Sequence, residues 1–274
     1  MEILQYTFFQ NALIGSLLAS ILCGFVGTYI VTRRLVFISG GITHASFGGI
    51  GLGVYFGISP LWSAMLFSIA SAFGVQWMSK RGDVREDSAI ALFWTFGMSI
   101  GIICCFLSPN FMPDLPSFLF GSILTIGNSD LWLLGVLVFF VAALFILFFR
   151  PILSVAFDAD FARSQGLPVA WIEYIMMAII AMTIVSTLRM VGIVLAISLL
   201  TIPQMTANLF TCRFGTMITG SILIGWTDCL LGLALSYRLN VPSGAAIIFV
   251  SIVLYTLLKT AKVMHIKRQM RENL

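Results

Sequence analysis

Apolar residues along this chain gather into long runs, each closed by a short cluster of charged or turn-forming residues. The runs cover about 9–32, 38–57, 60–79, 88–107, 129–149, 171–188, 190–210, 215–236 and 242–258. At a rise of about 1.5 Å per residue, a helix of about 20 residues crosses the roughly 30 Å hydrocarbon core of a bilayer. Strand-like alternation is absent, so the runs predict helices rather than the strands of a closed barrel. Only Arg189 divides 171–188 from 190–210, yet forty residues are enough for two crossings. The expected fold is therefore an all-α integral membrane protein, a polytopic bundle of about eight to nine transmembrane helices in one domain over residues 1–274. The first run is longer than a signal-peptide core and lacks a small-residue cleavage site, which predicts a retained span.

Composition agrees with a lipid solvent: 59% of residues are hydrophobic and 9% charged. Charge sets the orientation. If nine spans alternate, Arg33, Arg34, Lys80, Arg81, Arg85, Arg150, Arg163, Arg213, Lys259, Lys262, Lys267, Arg268 and Arg271 share one side, and only Arg189 and Arg238 fall on the other. The basic side is the cytoplasm by the positive-inside rule, so the amino terminus lies outside and the basic tail inside. That distribution accounts for the net charge of +4 without a nucleic-acid partner.

Three intervals do not span. On the outer side, Ser108–Gly127 holds three prolines and an apolar stretch too short to cross, the pattern of a re-entrant or interfacial helix. Inside, Lys80–Asp87 reads as a short charged loop, and Arg150–Ala170 is the longest polar interval, a segment that calls for a partner or a fold of its own.

Candidate chemistry is sparse. Gly41, Ala45, Gly49, Gly53 and Gly57 recur at every fourth position of the second span, a stripe of small residues that lets two backbones approach closely. His44 sits beside that stripe, with Gly40 and Gly48 four residues to either side. Two readings of it stand: a buried imidazole hydrogen-bonded to a neighbouring helix, or a ligand on a cation path, since ionisable groups at that depth usually face a bundle interior. Asp228, near the middle of the eighth span, is a candidate partner for His44, a cation or a proton, with a neutral acid bonded to a hydroxyl as the plainer reading. Glu173, near the cytoplasmic end of the sixth span, is close enough to water to need no special account. Five cysteines in apolar surroundings, with no CxxC pair, read as small buried hydrophobes.

Neither GxxxxGK[ST] nor HExxH occurs. The chain thus has no Walker loop for nucleotide phosphates and no recognisable hydrolytic constellation, and energy from ATP must arrive from another subunit. A self-sufficient secondary carrier or channel is the alternative, but such carriers usually need more intramembrane carboxylates or histidines than stand here.

The stretches RRLVFISGGITHASFGGIGLG (Arg33–Gly53), REDSAIALFWTFGMSIGI (Arg85–Ile102), FDADFARSQGLPV (Phe157–Val169), VGIVLAISLLTIPQMTANLF (Val191–Phe210) and LSYRLNVPSGAAI (Leu235–Ile247) together resemble the ABC-3 permeases of bacterial importers for zinc, manganese and iron(II). The resemblance covers nearly the whole chain and implies a multi-pass protein of the bacterial cytoplasmic membrane. It implies a transport subunit rather than an enzyme, working as a homodimer on two ATPase subunits that use the ATP. An extracytoplasmic binding protein would deliver a divalent metal, zinc first, then manganese or iron, as cargo rather than as a resident cofactor. A metal-chelate permease is the alternative within the class. Phe157, Asp158, Phe161, Ala162, Gly166 and Leu167 match the short cytoplasmic coupling helix that docks on the ATPase. The family commonly pairs an Asp with a His four residues on as a metal-binding or gating site; here His44 is kept, but Gly40 holds the Asp position.

Overall fold

The computed structural model describes residues 7–82, 84–108 and 126–272. Its helices are α1 (Thr7–Thr32), α2 (Val36–Phe56), α3 (Pro60–Arg81), α4 (Glu86–Leu107), α5 (Asn128–Leu147), α6 (Phe149–Phe157), α7 (Ala159–Ser164), α8 (Val169–Leu199), α9 (Ile202–Asn208), α10 (Phe214–Leu239) and α11 (Ser243–Glu272). The outer Pro-rich interval expected to be re-entrant lies mostly at 109–125, outside the described residues.

Local chemistry explains the helix ends. Pro60 stands in the first turn of α3, where its missing N–H costs nothing. Gly57 ends α2 in the left-handed region at φ 68°, and Asn240 does the same for α10 at φ 53°, with Pro242 just beyond. Glu86 and Asp87 occupy the first turn of α4, where the helix dipole favours negative charge. Inside the spans, hydroxyls bond back to their own helix, Thr28 to Gly24 O at 2.7 Å and Thr43 to Ser39 O at 2.6 Å, so neither group must reach for water.

Eight segments among the described residues are long and apolar enough to cross a membrane, and they coincide with eight of the nine runs. The ninth, α2, has the length but not the apolarity, because six glycines, two serines, a threonine and a histidine dilute it. Packing against α3, α4 and α8 makes up for that, since a helix sheathed by protein need not dissolve in lipid.

The uncertain pair of runs is resolved inside α8. Gly192 departs from helical geometry there, at φ 78° and ψ 170°. Contacts show that the chain reverses at this point. Glu173 pairs with Arg33 at the end of α1, while the Leu200 carbonyl lies against Gly27, only six residues back along α1. A straight helix would separate residues 173 and 200 by about 40 Å, whereas six residues of α1 span about 9 Å. Val169–Leu188 and Val191–Asn208 are therefore two antiparallel crossings. The Arg33–Glu173 and Lys80–Glu173 pairs also bring the ends of α1 and α3 and the start of α8 to one face, as the charge-based orientation requires.

Candidate functional site

His44 lies in the middle of α2, half-buried, with its imidazole flat against the indole of Trp94 on α4; the ring centroids are 4.3 Å apart and the planes 4° from parallel. One turn nearer the cytoplasm, a Cβ added at Gly40 would meet nothing within 4 Å. Space for a carboxylate exists there, and Gly40 leaves it open.

The small-residue stripe is where the helices touch. A methyl added at Gly49 would fall 2.6 Å from the Ser63 carbonyl, one at Gly53 2.8 Å from Pro60 Cα, and one at Gly97 of α4 2.6 Å from Ala45 Cα. Gly41 instead makes room for the Ile90 side chain, whose Cγ2 would lie against an added methyl. A second row, invisible as a stripe, does as much: additions at Gly48 and Gly51 would collide with the carbonyls of Gly97 and Gly101, at 2.7 and 2.5 Å. Gly57 differs from the others, with no neighbour within 4 Å and a left-handed turn to make. So α2, α3 and α4 are joined at backbone-to-backbone distance, and His44 rides on that unit.

Asp228 is buried on α10 beside Ser251 of α11, whose hydroxyl donates to Ile247 O, and its own Oδ1 has no hydrogen-bond partner. Its helix packs on α1, α9 and α11, whereas α2 packs on α3, α4 and α8. Within one chain the structure does not bring His44 and Asp228 together. Among the described residues no group of three or more His, Cys, Asp or Glu side chains could hold a metal ion. Of the cysteines, Cys23, Cys105 and Cys229 are buried and Cys104 is half-buried, but Cys212 is exposed, unlike the buried role its apolar neighbours implied.

At the cytoplasmic face the polar interval has a fold of its own. Asp158 caps α7, accepting from the Asp160 and Phe161 amides at 3.0 and 2.9 Å. Ala162 is fully buried against Val155 and Val169, with Leu167 beside them, and Gly166 turns the chain at φ 77°. Phe157 and Phe161 are left 62% and 56% exposed. The six-residue helix thus buries Ala162 and presents Phe161 to solvent, beside the exposed Phe157 at the end of α6, an apolar patch of the kind that partners cover.

Glu173 corrects the sequence reading. Far from being solvated, it is only 5% exposed, and its carboxylate accepts from Arg33 Nη2 at 2.6 Å and Gln76 Nε2 at 3.2 Å and pairs with Lys80. Sequence reasoning missed this cluster and Trp94 alike. The available signal was weak: Arg33, Lys80 and Glu173 all lie at cytoplasmic span ends, but nothing in the order of residues says which ends adjoin.

A sequence profile of the ABC 3 transport family matches residues 5–262. The chain belongs to this family. Among its relatives in it, an uncharacterised membrane protein of Synechocystis is 41% identical over 93% of this chain and 90% of its own length. The manganese transport system membrane protein MntC of Halalkalibacterium halodurans is 32% identical over 93% of this chain and 88% of that one. The structure of PsaBC from Streptococcus pneumoniae in complex with Fab superposes with a TM-score of 0.83, at 27% identity, over 93% of this chain and 91% of that one. This ABC 3 family member is thus a multi-pass membrane protein and a transport subunit rather than an enzyme, as its residues and their resemblance led one to expect.

Proposed function

We propose that this chain is the permease subunit of an ATP-driven importer that moves a divalent transition-metal ion into the cytoplasm by alternating access. The similarity along 93% of the chain to membrane proteins named for manganese transport carries this reading. It moves manganese ahead of zinc as the first ion to test, with iron(II) third. All 274 residues act as one permease unit, two copies of which stand on a pair of ATPase subunits and receive metal from an extracytoplasmic binding protein.

Within that frame His44 lies on the translocation path. A lone imidazole is a weak trap for a metal ion, and with Gly40 at the neighbouring turn the second ligand comes from water or from the His44 of the second copy. Weak coordination suits a transit site, where the ion must leave as readily as it enters. Asp228, held among α1, α10 and α11, is a structural carboxyl in this account rather than a ligand. Phe157 and Phe161 on their capped turn are the contact with the ATPase.

The test is reconstitution into liposomes with the cognate ATPase and binding protein, following manganese, zinc and iron(II) uptake with and without ATP. Uptake that needs ATP and falls at least tenfold in His44→Ala, with ATPase association intact, supports the reading. Uptake by the chain alone would instead establish a self-sufficient carrier.

A further inference from the structure

The buried charge cluster at the start of α8 has no part in the function proposed above. Glu173 follows Val169, where α8 leaves the α7 turn, by four residues. Its partners come from far along the chain: Arg33, just after α1, and Gln76 and Lys80, near the end of α3. The three charged side chains are unequally exposed, Glu173 at 6% against 23% for Arg33 and 40% for Lys80. Beside them is a cavity of about 90 Å³, lined also by Tyr29, Ser79 and Glu86.

That inequality allows two states. A carboxylate stripped of its partners in a buried site is strongly disfavoured, so one cation at least must stay with Glu173. The other is already near water and can turn toward Ser79 and Glu86 in the cavity or out to solvent, where it recovers hydration. Charge therefore moves on the cationic side, and the carboxylate stays with α8.

Two sets of helices meet at this cluster, at the cytoplasmic end of the seam along which α8 packs on α2 and α3. On one side, Val155, Ala162 and Val169 pack into a single apolar knot, so α6, α7 and the first turn of α8 move together, carrying Glu173 with the exposed Phe161. On the other, Lys80 and Gln76 belong to α3, which is joined through Gly49 and Gly53 to α2 and thus to His44.

We propose that Glu173, Arg33 and Lys80 form an electrostatic clasp that passes displacement of α7 to the α2–α4 unit, made in one end state of the transport cycle and broken in the other. This rests on the reading of α7 as the ATPase contact. The clasp gives that contact a mechanical route to the path residue about half a membrane thickness away.

The test uses the full transporter in liposomes, with the native cysteines replaced in a background that retains ATP-driven uptake. Arg33→Cys with Glu173→Cys is bridged by a short, reducible bifunctional thiol reagent. Bridging is expected to lower ATP-driven uptake at least tenfold, with recovery on reduction, and bridging yield is expected to differ at least threefold between nucleotide-free and vanadate-trapped states. ATP-driven uptake that ignores the bridge, or equal yields in the two states, overturns the clasp alone. Uptake by the unbridged transporter that ignores ATP overturns the transport reading, and the clasp with it. Glu173→Gln adds a second readout: with the charge gone, ATP consumed per ion moved is expected to rise at least threefold. An unchanged ratio overturns the proposal, and if this variant fails to assemble, the bridging result decides.

Discussion

The imidazole of His44 lies parallel to the indole of Trp94, 4.3 Å between centroids, and this stack joins the middle of α2 to α4. A flat stack fixes the ring plane of His44 and therefore the direction in which its nitrogens point. Aromatic pairs of this kind contribute about 0.5–1.5 kcal/mol beyond area burial.

Replacing Trp94 with Ala should free the His44 ring and lower ATP-driven metal uptake about 2- to 10-fold, the rate equivalent of that stacking energy. Trp94→Phe keeps a flat partner and should stay close to the parent. The check is initial uptake rate in liposomes, with ATP hydrolysis measured in parallel. Equal rates for the Ala and Phe variants would remove the stack from the account.

Gly40→Asp should tighten metal binding. Position 40 has open space around its Cβ and lies one turn from His44, so a carboxylate there joins the imidazole on one helix face. A second ligand raises manganese or zinc affinity by at least about tenfold, about 1.4 kcal/mol, measurable by calorimetry on detergent-solubilised protein. Turnover is expected to change as well, because a tighter transit site releases its ion more slowly. Unaltered affinity would argue that His44 does not face the ion.

Gly97→Ala should destabilise the fold where Gly40→Ala does not. The added methyl at position 97 would sit 2.6 Å from Ala45 Cα, so α2 and α4 must part, whereas at position 40 it meets nothing within 4 Å. Overpacking of this kind costs about 1–3 kcal/mol, visible as a lower thermal midpoint in detergent.

Gly192→Ala should carry a penalty of a different origin. At φ 78° and ψ 170° the backbone is in a region open to glycine almost alone, and a side chain adds about 1–3 kcal/mol of strain. The same thermal unfolding assay reports it, and a variant as stable as the parent would show that the reversal tolerates another geometry.

Phe161→Ala should leave stability nearly unchanged, since the ring is already more than half exposed, and should weaken association with the ATPase. An aromatic anchor at an interface is typically worth about 2 kcal/mol, a loss of about 30-fold in affinity. Pull-down of the ATPase against a concentration series measures it, and undiminished binding would move the contact elsewhere.

Much of the architecture is legible in the order of residues. All nine apolar runs are helical, two of them sharing α8, whereas the interval Lys80–Asp87 read as a loop is shorter than expected, its ends lying in the last turn of α3 and the first turn of α4. The turn in the middle of α8 is harder to place, because Arg189 is the only charge near it and Gly192 is one of 24 glycines in the chain. His44, Gly40 and the stripe of small residues stand out through helical spacing alone, although spacing does not distinguish Gly57, which ends its helix, from Gly49 and Gly53, which pack.

A bundle of eight to nine spans and its charge-based orientation follow from the sequence by itself, because lipid filters each residue by its own transfer cost and helical periodicity is local. Which spans adjoin was decided only in three dimensions. Asp228 could have faced His44 and instead faces Ser251, while Glu173, read as solvated, draws Arg33 and Lys80 into a buried cluster from 140 and 93 positions away in the chain. Such pairings depend on how the helices pack around one another, and the hydropathy of a helix does not record its neighbours: Asn128–Leu147 is more apolar than Val191–Asn208 yet far less buried by protein.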